Sequence, residues 1–135
     1  MSDNLPSSPI EVLIAAYEAI KQGDVDSMNE LYAEGYTLIS ELNPNEFLEP
    51  ERAIVTRRSL QGQITDLNFS LEELSSRTIG EGAAIVVYRL RYSGMLVYQY
   101  RFEGRFIQIE ALCTAVLVKE RGKWRILHEH FTPLS

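Results

Sequence analysis

The sequence predicts an α+β fold in which three N-terminal helices cover one face of a mostly antiparallel sheet. Two observations lead to this prediction. Apolar residues recur at helical spacing up to about residue 61, whereas from Ile64 onward they alternate along extended segments. Helices followed by a run of strands are typical of α+β domains. Because the chain has 135 residues, we expect a single domain.

The first helix has clear signals at both ends. Residues 1–7 are rich in Ser, Pro, Asp and Asn and predict a flexible tail. Ser8 can cap a helix that has Pro9 at its first position and Glu11 to complete a capping box. Gly23 follows the apolar stripe and predicts the end of this helix.

Two further helices flank a short strand. Asp24 can cap a second helix that ends at Gly35, and residues 36–40 then predict a strand. Residues 41–49 contain Asn-Pro-Asn and predict a loop. Pro50 opens a third helix, which runs to about Gln61.

The remaining residues predict four strands, at about 64–79, 83–101, 105–119 and 123–132. Ser93-Gly94 could form another turn within the second of these. A turn there would send Tyr88 and Tyr98 to opposite faces, whereas one long strand with a bend at Gly94 keeps the alternation intact. We therefore favour the long strand.

Alternation along the strands assigns the two faces of the sheet. A two-residue turn at Glu103-Gly104 pairs Tyr98 with Ile109. The face that the helices cover then carries Tyr88, Tyr98, Tyr100, Ile107, Ile109, Ala111, Cys113, Ala115, Leu117, Leu127, Glu129 and Phe131. The outer face carries apolar residues as well, namely Leu112, Val116, Trp124 and Ile126. Such a patch predicts a homodimer formed through the outer sheet face.

The position of the last strand depends on the turn at Glu120-Arg121-Gly122. The simplest hairpin pairs Val118 with Trp124, which directs Glu129 toward the helices and directs His128 and His130 outward. A two-residue loop would move the strand by one residue and exchange its faces.

The charge balance excludes several classes of partner. The net charge is −6 at pH 7 and the isoelectric point is about 4.9, so we expect neither nucleic acid nor an anionic membrane as a partner. Cys113 is the one cysteine, which excludes an intrachain disulfide and favours a reducing compartment. With no secretory or membrane-spanning pattern in the sequence, we expect a cytoplasmic protein.

Two segments of the sequence resemble a known superfamily. Gly23-Asp24-Val25-Asp26 with Leu31-Tyr32-Ala33-Glu34 resembles the start of nuclear transport factor 2-like domains. The segment from Gly122 to Thr132 is similar to the last strand of SnoaL-like domains and of the calcium/calmodulin-dependent kinase II association domain. The resemblance covers residues 8–133, and we take 8–135 as the SnoaL-like domain. It implies a cone-shaped, cystatin-like sheet around three helices, an internal pocket, and dimers formed through the sheet.

The superfamily includes cyclases, isomerases, dehydratases and association modules, so the fold does not assign a reaction. Two functions stay open. One is a small-molecule-binding protein or enzyme acting on an apolar, possibly cyclic or carbonyl-bearing compound. The other is a homo-association module without catalysis. If a pocket is present, residues 41–49 are expected to border its mouth.

The candidate ligand-binding residues lie on the face that the helices cover, and no catalytic residue is assigned. They are Tyr17, Tyr88, Tyr98, Tyr100, Cys113 and Glu129. Glu129 is the most informative, because an acid on an apolar face must be paired, solvated or protonated. Arg105 and the tyrosines are possible partners. The tyrosines could equally well pack in the aromatic core as line a pocket. Cys113 is more typical of a small buried hydrophobic residue than of a nucleophile.

Two more specific chemistries are not expected. Ketosteroid isomerase is a member of this superfamily. The resemblance implies that the position of its catalytic base corresponds to Ser40 of this chain, and that the position of its second carboxyl group falls near Cys113 or Thr114. Ser40 cannot abstract a carbon-bound proton, and Glu41 should point away. His128 and His130 share a face but Glu129 points the other way, so the triplet is not a three-ligand metal set. We expect no metal and no cofactor.

Overall fold

The computed structural model describes residues 6–97 and 104–134, and it has the predicted α+β architecture. Three helices, α1 (Pro9–Gln22), α2 (Val25–Leu31) and α3 (Pro50–Gln63), pack on one face of a curved six-stranded sheet. The strands are β1 (Tyr32–Ser40), β2 (Asn43–Leu48), β3 (Ile64–Ile79), β4 (Ala83–Val97), β5 (Gly104–Glu120) and β6 (Lys123–Leu134). Their spatial order is β2-β1-β6-β5-β4-β3, and in the described part of the chain β1 pairs with β6 in parallel while the other neighbouring strands are antiparallel.

Helix α1 begins and ends as its sequence predicts. The Ser8 hydroxyl oxygen accepts a hydrogen bond from the Glu11 backbone N–H and donates one to the Glu11 carboxyl group, at 3.4 and 2.9 Å. Gly23 ends the helix in the left-handed region, with φ of 68°, which glycine adopts without steric strain.

Two predictions in the first half of the chain are wrong. Helix α2 ends at Leu31, and Gly35 lies inside β1 instead of ending the helix. Residues 43–48 form an edge strand, β2, where a loop was predicted; it pairs with β1 through Leu48 opposite Leu38. The backbone of this segment therefore has partners in the sheet, which a free loop would lack.

Strand β4 runs without interruption through Ser93 and Gly94, as predicted, but its register with β5 differs. Tyr92 pairs with Ile109 and Val97 pairs with Gly104, so the predicted turn at Glu103-Gly104 and the pairing of Tyr98 with Ile109 are wrong. The partner of Ile109 lies six residues earlier than predicted. Because six is an even number, the assignment of the two faces survives. Tyr98 and Tyr100 lie outside the described residues.

Strand β6 begins after a two-residue turn, Arg121-Gly122, in which both residues have positive φ. Trp124 then pairs with Lys119 and Ile126 with Leu117, and both face the helices. Their assignment to the outer patch is therefore wrong; Ile126 is fully buried and Trp124 packs against the core.

A shift in register at Leu127 restores the predicted face for the rest of β6. Beyond it, His128 pairs with Val116 and Glu129 with Ala115. This is the signature of a β-bulge, in which one extra residue reverses the parity of the strand. Leu127, predicted to lie on the inner face, is left half-buried at the bulge, while Glu129 faces inward.

The core lies between the helices and the inner face of the sheet. Leu13, Ile20, Leu90 and Phe131 are among its fully buried members. In the described part of the chain, none of the helices has the length and hydropathy that crossing a membrane requires.

Candidate functional site

Glu129 lies at the centre of a buried hydrogen-bonded cluster. Its side chain is 0% exposed, and Tyr36 and Tyr88 each donate a hydroxyl hydrogen bond to a different carboxyl oxygen, both at 2.7 Å. The Tyr17 hydroxyl lies 2.7 Å from that of Tyr88 and 3.3 Å from Glu129 Oε2. We call Tyr17, Tyr36, Tyr88 and Glu129 the glutamate cluster.

Three secondary-structure elements bring the phenols of this cluster together with the carboxyl group. Tyr17 lies on the buried stripe of α1, four residues from Leu13 and three from Ile20. Tyr36 alternates with Leu38 on the inner side of β1, and Tyr88 does so with Leu90 on β4.

The phenols of the glutamate cluster remain hydrogen-bond donors. Burial raises the pKa of Tyr17 and of Tyr36 well above the ordinary value, and the neighbouring Glu129 raises each further. Burial also raises the pKa of Tyr88. Tyr36 and Tyr88 therefore keep the single proton that each gives to Glu129, and Tyr17 can give its proton to Tyr88. Each carboxyl oxygen of Glu129 therefore has a phenol donor.

Cys113 lies beside this cluster, opposite Tyr88 across the β4–β5 ladder. Its own neighbour on β6 is Phe131, and Ala115 is the residue opposite Glu129. The predicted pairing of Val118 with Trp124, which would place Cys113 opposite Glu129, is therefore wrong. Burial raises the pKa of the thiol and the Glu129 carboxyl group raises it further. A thiol held in its neutral form is a poor nucleophile.

A second buried cluster surrounds Arg57 on α3. Arg57 Nη2 donates to Glu41 Oε1 at 2.6 Å and to Ser40 Oγ at 3.2 Å. Tyr92 donates its hydroxyl proton to Glu41 Oε2 at 2.7 Å. Arg57 is 0% exposed and Glu41 only 6%. We call Ser40, Glu41, Arg57 and Tyr92 the arginine cluster.

The pKa values of the ion pair reflect both burial and pairing. Burial alone would raise the pKa of Glu41, but the charge of Arg57 and the hydrogen bonds from Arg57 and Tyr92 outweigh it and hold the pKa below the ordinary value. Burial alone would lower the pKa of Arg57, and the Glu41 carboxylate reverses this. Both groups are therefore charged at neutral pH.

The two clusters meet at Phe131. The Arg57 guanidinium carbon lies 4.6 Å from the centre of the Phe131 ring, an arrangement that favours a cation. Phe131 and Glu129 are alternate residues on the inner side of β6. Carboxyl acceptors, phenol donors and a guanidinium therefore share one apolar interior.

A cavity of about 350 Å³ reaches the protein surface beside the glutamate cluster. Tyr32 and Tyr36 form part of its wall, together with Ile54 and Arg58 of α3 and with Arg125 of β6. Tyr36 therefore lines this cavity and also donates a hydrogen bond to the buried carboxyl group. Residues 41–49 do not line this cavity; Glu41 points into the interior instead.

Three of the candidate residues, Tyr17, Tyr88 and Glu129, form one cluster with Cys113 beside it. Tyr98 and Tyr100 lie outside the described residues. Arg105, a predicted partner of Glu129, is exposed. Sequence reasoning missed Tyr36, Glu41, Arg57 and Tyr92 as site residues.

A signal for Arg57 was present in the sequence. Ala53, Arg57 and Leu60 are spaced i, i+4, i+7, which places the arginine on the buried stripe of α3. Val55, an apolar residue of the same helix, is 57% exposed. The predicted outward direction of Glu41 is also wrong, because the register shifts between Ile39 and Ser40 and both Ser40 and Glu41 are buried.

The two histidines of β6 lie on the opposite side of the sheet. His128 is within hydrogen-bond distance of the Thr37 hydroxyl, at 2.7 Å from Nδ1, and His130 pairs across the ladder with Thr114. Burial lowers the pKa of His128, and neighbouring His130 lowers it further. Within residues 6–97 and 104–134, no three His, Cys, Asp or Glu side chains converge on a point where a metal ion could bind.

The profile of the SnoaL-like domain family matches residues 10–134 of the chain. No curated protein sequence matches it. Solved structures share the fold. A protein with a cystatin-like fold from Caulobacter vibrioides is 20% identical, with a TM-score of 0.71 over 92% of this chain and 85% of that one.

Two other solved structures have different assigned roles. A proposed dehydratase of the nuclear transport factor 2-like family from Streptomyces avermitilis is 14% identical, with a TM-score of 0.75 over 92% of both chains. The calcium/calmodulin-dependent kinase II hub of S. rosetta is 17% identical, with a TM-score of 0.73 over 96% of this chain and 100% of that one. At these identities the likeness establishes the cone-shaped, cystatin-like fold.

Proposed function

Because the chain belongs to the SnoaL-like domain family, we propose that it binds a small, mostly apolar molecule inside the cone of its sheet, against the glutamate cluster. The observation that carries this proposal is the complete burial of the Glu129 carboxyl group. Among residues 6–97 and 104–134, no lysine, arginine or histidine forms an ion pair with it. Its partners are neutral phenols.

The energetics favour a functional role for this carboxyl group. Moving an ionised carboxyl group out of water destabilises a protein by several kcal/mol, and each hydrogen bond to it restores about 1.5–3 kcal/mol. Well-packed apolar residues of the same volume would serve a purely structural role at least as well. A cluster of three phenols and one carboxyl group is useful where it orients the polar group of a ligand.

Crystallography of the purified protein tests this proposal. We expect electron density for a bound molecule inside the cone, in polar contact with the glutamate cluster. An interior filled entirely by side chains would refute it. Once a ligand is identified, Glu129→Gln should weaken its binding more than tenfold, about 1.4 kcal/mol. Glu18→Gln, an exposed change on α1, is the matched control and should leave the affinity unchanged.

A second candidate function, homo-association, is favoured by the outer face of the sheet. Ile85, Val116 and His128 lie in one row across three strands, and Val87, Thr114, His130, Ile39 and Phe47 lie in the next. Phe47 is 56% exposed. One of the similar structures is a hub domain by name. Light scattering at micromolar concentration should give twice the chain mass of 15.4 kDa; a monomer would refute this candidate.

A further inference from the structure

The cavity that Tyr32 and Tyr36 line at the protein surface, called here the surface cavity, has two arginines in its wall. Arg58 of α3 and Arg125 of β6 both line this space of about 350 Å³, a volume typical of small-molecule sites. Both side chains are half-buried, and the Nε atom of each is shielded from water without a hydrogen-bond partner among the described residues. Each guanidinium is therefore partly removed from water, which strengthens its interaction with a charge that enters the cavity.

Neither guanidinium has a close counterion among residues 6–97 and 104–134. Arg58 forms no ion pair in this part of the chain, and its Nη2 donates to the neutral side chain of Asn29 at 3.0 Å. Arg125 Nε lies 3.7 Å from Glu120 Oε1, which is beyond hydrogen-bond distance, and the Glu120 side chain is 52% exposed. An exposed pair of this length contributes little, so most of both positive charges is left unbalanced.

The rest of the wall has one charged group and an apolar surface. Of the described residues that line the cavity, Glu34 carries a negative charge, and its side chain is exposed to water. The wall therefore holds two positive charges and one negative charge, on a chain whose net charge is −6. A cleft of this sign on an acidic protein attracts anions. The apolar part of the wall consists of Ala33, Pro50, Ile54 and the rings of Tyr32 and Tyr36.

We infer that the surface cavity binds a small organic anion, a carboxylate or a phosphate ester, whose charged group meets Arg58 and Arg125 and whose apolar part lies against the tyrosine rings. Planar guanidinium groups pair well with the oxygens of both kinds of anion. Asn29, which holds Arg58 through its side-chain oxygen, keeps its amide hydrogens for a further acceptor. This site goes beyond the proposed function, because Arg58 and Arg125 belong to neither buried cluster.

Three probes with the same ring separate the effect of charge from that of shape. Benzoate and benzamide have nearly the same shape, but only benzoate is charged at neutral pH; phenyl phosphate carries the other kind of anion. In an NMR titration of ¹⁵N-labelled protein, we expect at least one of the two anions to bind at least tenfold more tightly than benzamide and to shift the Nε–H signals of Arg58 and Arg125. The tighter of the two identifies the charged group. Binding of both anions no tighter than that of benzamide, or no binding of either at millimolar concentration, would overturn the inference.

Charge removal at the two arginines gives the second test. Arg58→Gln and Arg125→Gln should each weaken binding of the tighter anion at least fivefold and leave benzamide binding unchanged. Arg52→Gln is the matched control, because it removes the same charge from the same helix, where the side chain is 71% exposed and pairs with Glu46. An equal loss of affinity in Arg52→Gln would show that the general field of α3 attracts the anion, and would overturn the assignment to the cavity.

Glu34→Gln gives a test in the opposite direction. It removes the negative charge of the wall at an exposed position, so the fold should be unaffected and the anion should bind at least twofold more tightly. Unchanged or weaker anion binding by this folded variant would contradict selection by the charge of the wall.

The titration also separates this site from the proposed site inside the cone. An anion that shifted only the signals of the glutamate cluster, and whose affinity was the same in Arg58→Gln and Arg125→Gln, would support binding inside the cone and overturn the surface site. Conversely, loss of anion binding in both arginine variants would support the surface site whether or not the cone holds a ligand.

Discussion

Among the described residues, two buried carboxyl groups organise the interior at the scale of single residues, and one of them has a cation as its partner. Glu41 is held by Arg57 at 2.6 Å, whereas the described partners of Glu129 are phenols. In the first arrangement the two charges neutralise each other, and removing either partner leaves the other charge buried without a counterion. The second leaves a carboxyl group able to respond to a polar ligand. The two groups should therefore respond differently to mutation.

Arg57→Met should destabilise the protein by about 3–5 kcal/mol, because it leaves Glu41 buried without its cation. Chemical denaturation monitored by circular dichroism measures this loss. The double variant Arg57→Met with Glu41→Gln removes both charges and should recover much of the stability. A single variant as stable as the wild type would contradict the importance of this pair.

Acid should weaken the protein through Glu41. Its pKa in the folded state is held below the ordinary value, mainly by Arg57 against the opposing effect of burial. A depressed pKa contributes stability that is fully present above the unfolded value, about 4.3, and that is lost as the pH falls through the lower folded value. Urea denaturation between pH 6 and pH 3 should show this loss in the wild type and a shallower dependence in Glu41→Gln. Parallel curves would exclude Glu41 as the titrating group.

Strand β6 shows, at the scale of an element, how one extra residue decides which side chains reach the interior. Its two-residue turn directs Trp124 and Ile126 inward, and the bulge at Leu127 then returns Glu129 to the same inner face. Without the bulge, His128 and His130 would face the core and Glu129 the outside. The placement of the carboxyl group thus depends on a local irregularity of the ladder.

Gly94 keeps β3 and β4 in close contact. A methyl group at this position would collide with Ile64 Cγ2 and lie 2.8 Å from the Thr65 carbonyl oxygen. Gly94→Ala should therefore destabilise the fold by about 1–3 kcal/mol. Gly62→Ala is the matched control, because nothing lies within 4 Å of its added atom and alanine stabilises a helix by about 0.5–1 kcal/mol relative to glycine. Equal thermal midpoints for the two variants would contradict the close approach.

At the scale of the whole molecule, the sheet presents two apolar faces and the helices cover only one of them. The inner face contains the candidate site, while the outer face carries half-buried Ile85, Leu112 and Val116. A second copy of the chain could cover this face through the same residues on both subunits. Association and ligand binding would then use opposite sides of one sheet.

Val116→Glu should convert the expected dimer into a monomer, because it places a charge in the middle of the outer face. Light scattering should fall from twice the chain mass to 15.4 kDa. Val55→Glu makes the same change at an exposed position on α3 and should leave the mass of the assembly unaltered. Retention of the dimer by Val116→Glu would place the interface elsewhere.

The candidate site was only partly predictable. Glu129 was expected to face inward, and it does. The predicted turn before β6 was wrong, but the bulge at Leu127 reverses the parity of the strand once more, so that Glu129 keeps its predicted face. The spacing on α3 indicates that Arg57 is buried, but its partnership with Glu41 could not be anticipated, because the direction of Glu41 depends on the register shift and the turn at the end of β1. That turn is set by packing between elements that are distant in the sequence.

Periodicity and local capping by themselves determined the α+β class, the ends of α1 and the long β4, because these features depend on residues a few positions apart. Only the tertiary structure decided the register of the hairpins, the existence of β2, and the meeting of Tyr17, Tyr36, Tyr88 and Glu129 from four separate elements. The physical reason is that register and side-chain contacts are selected by the packing of the complete core, where a shift of one residue exchanges the faces of a strand.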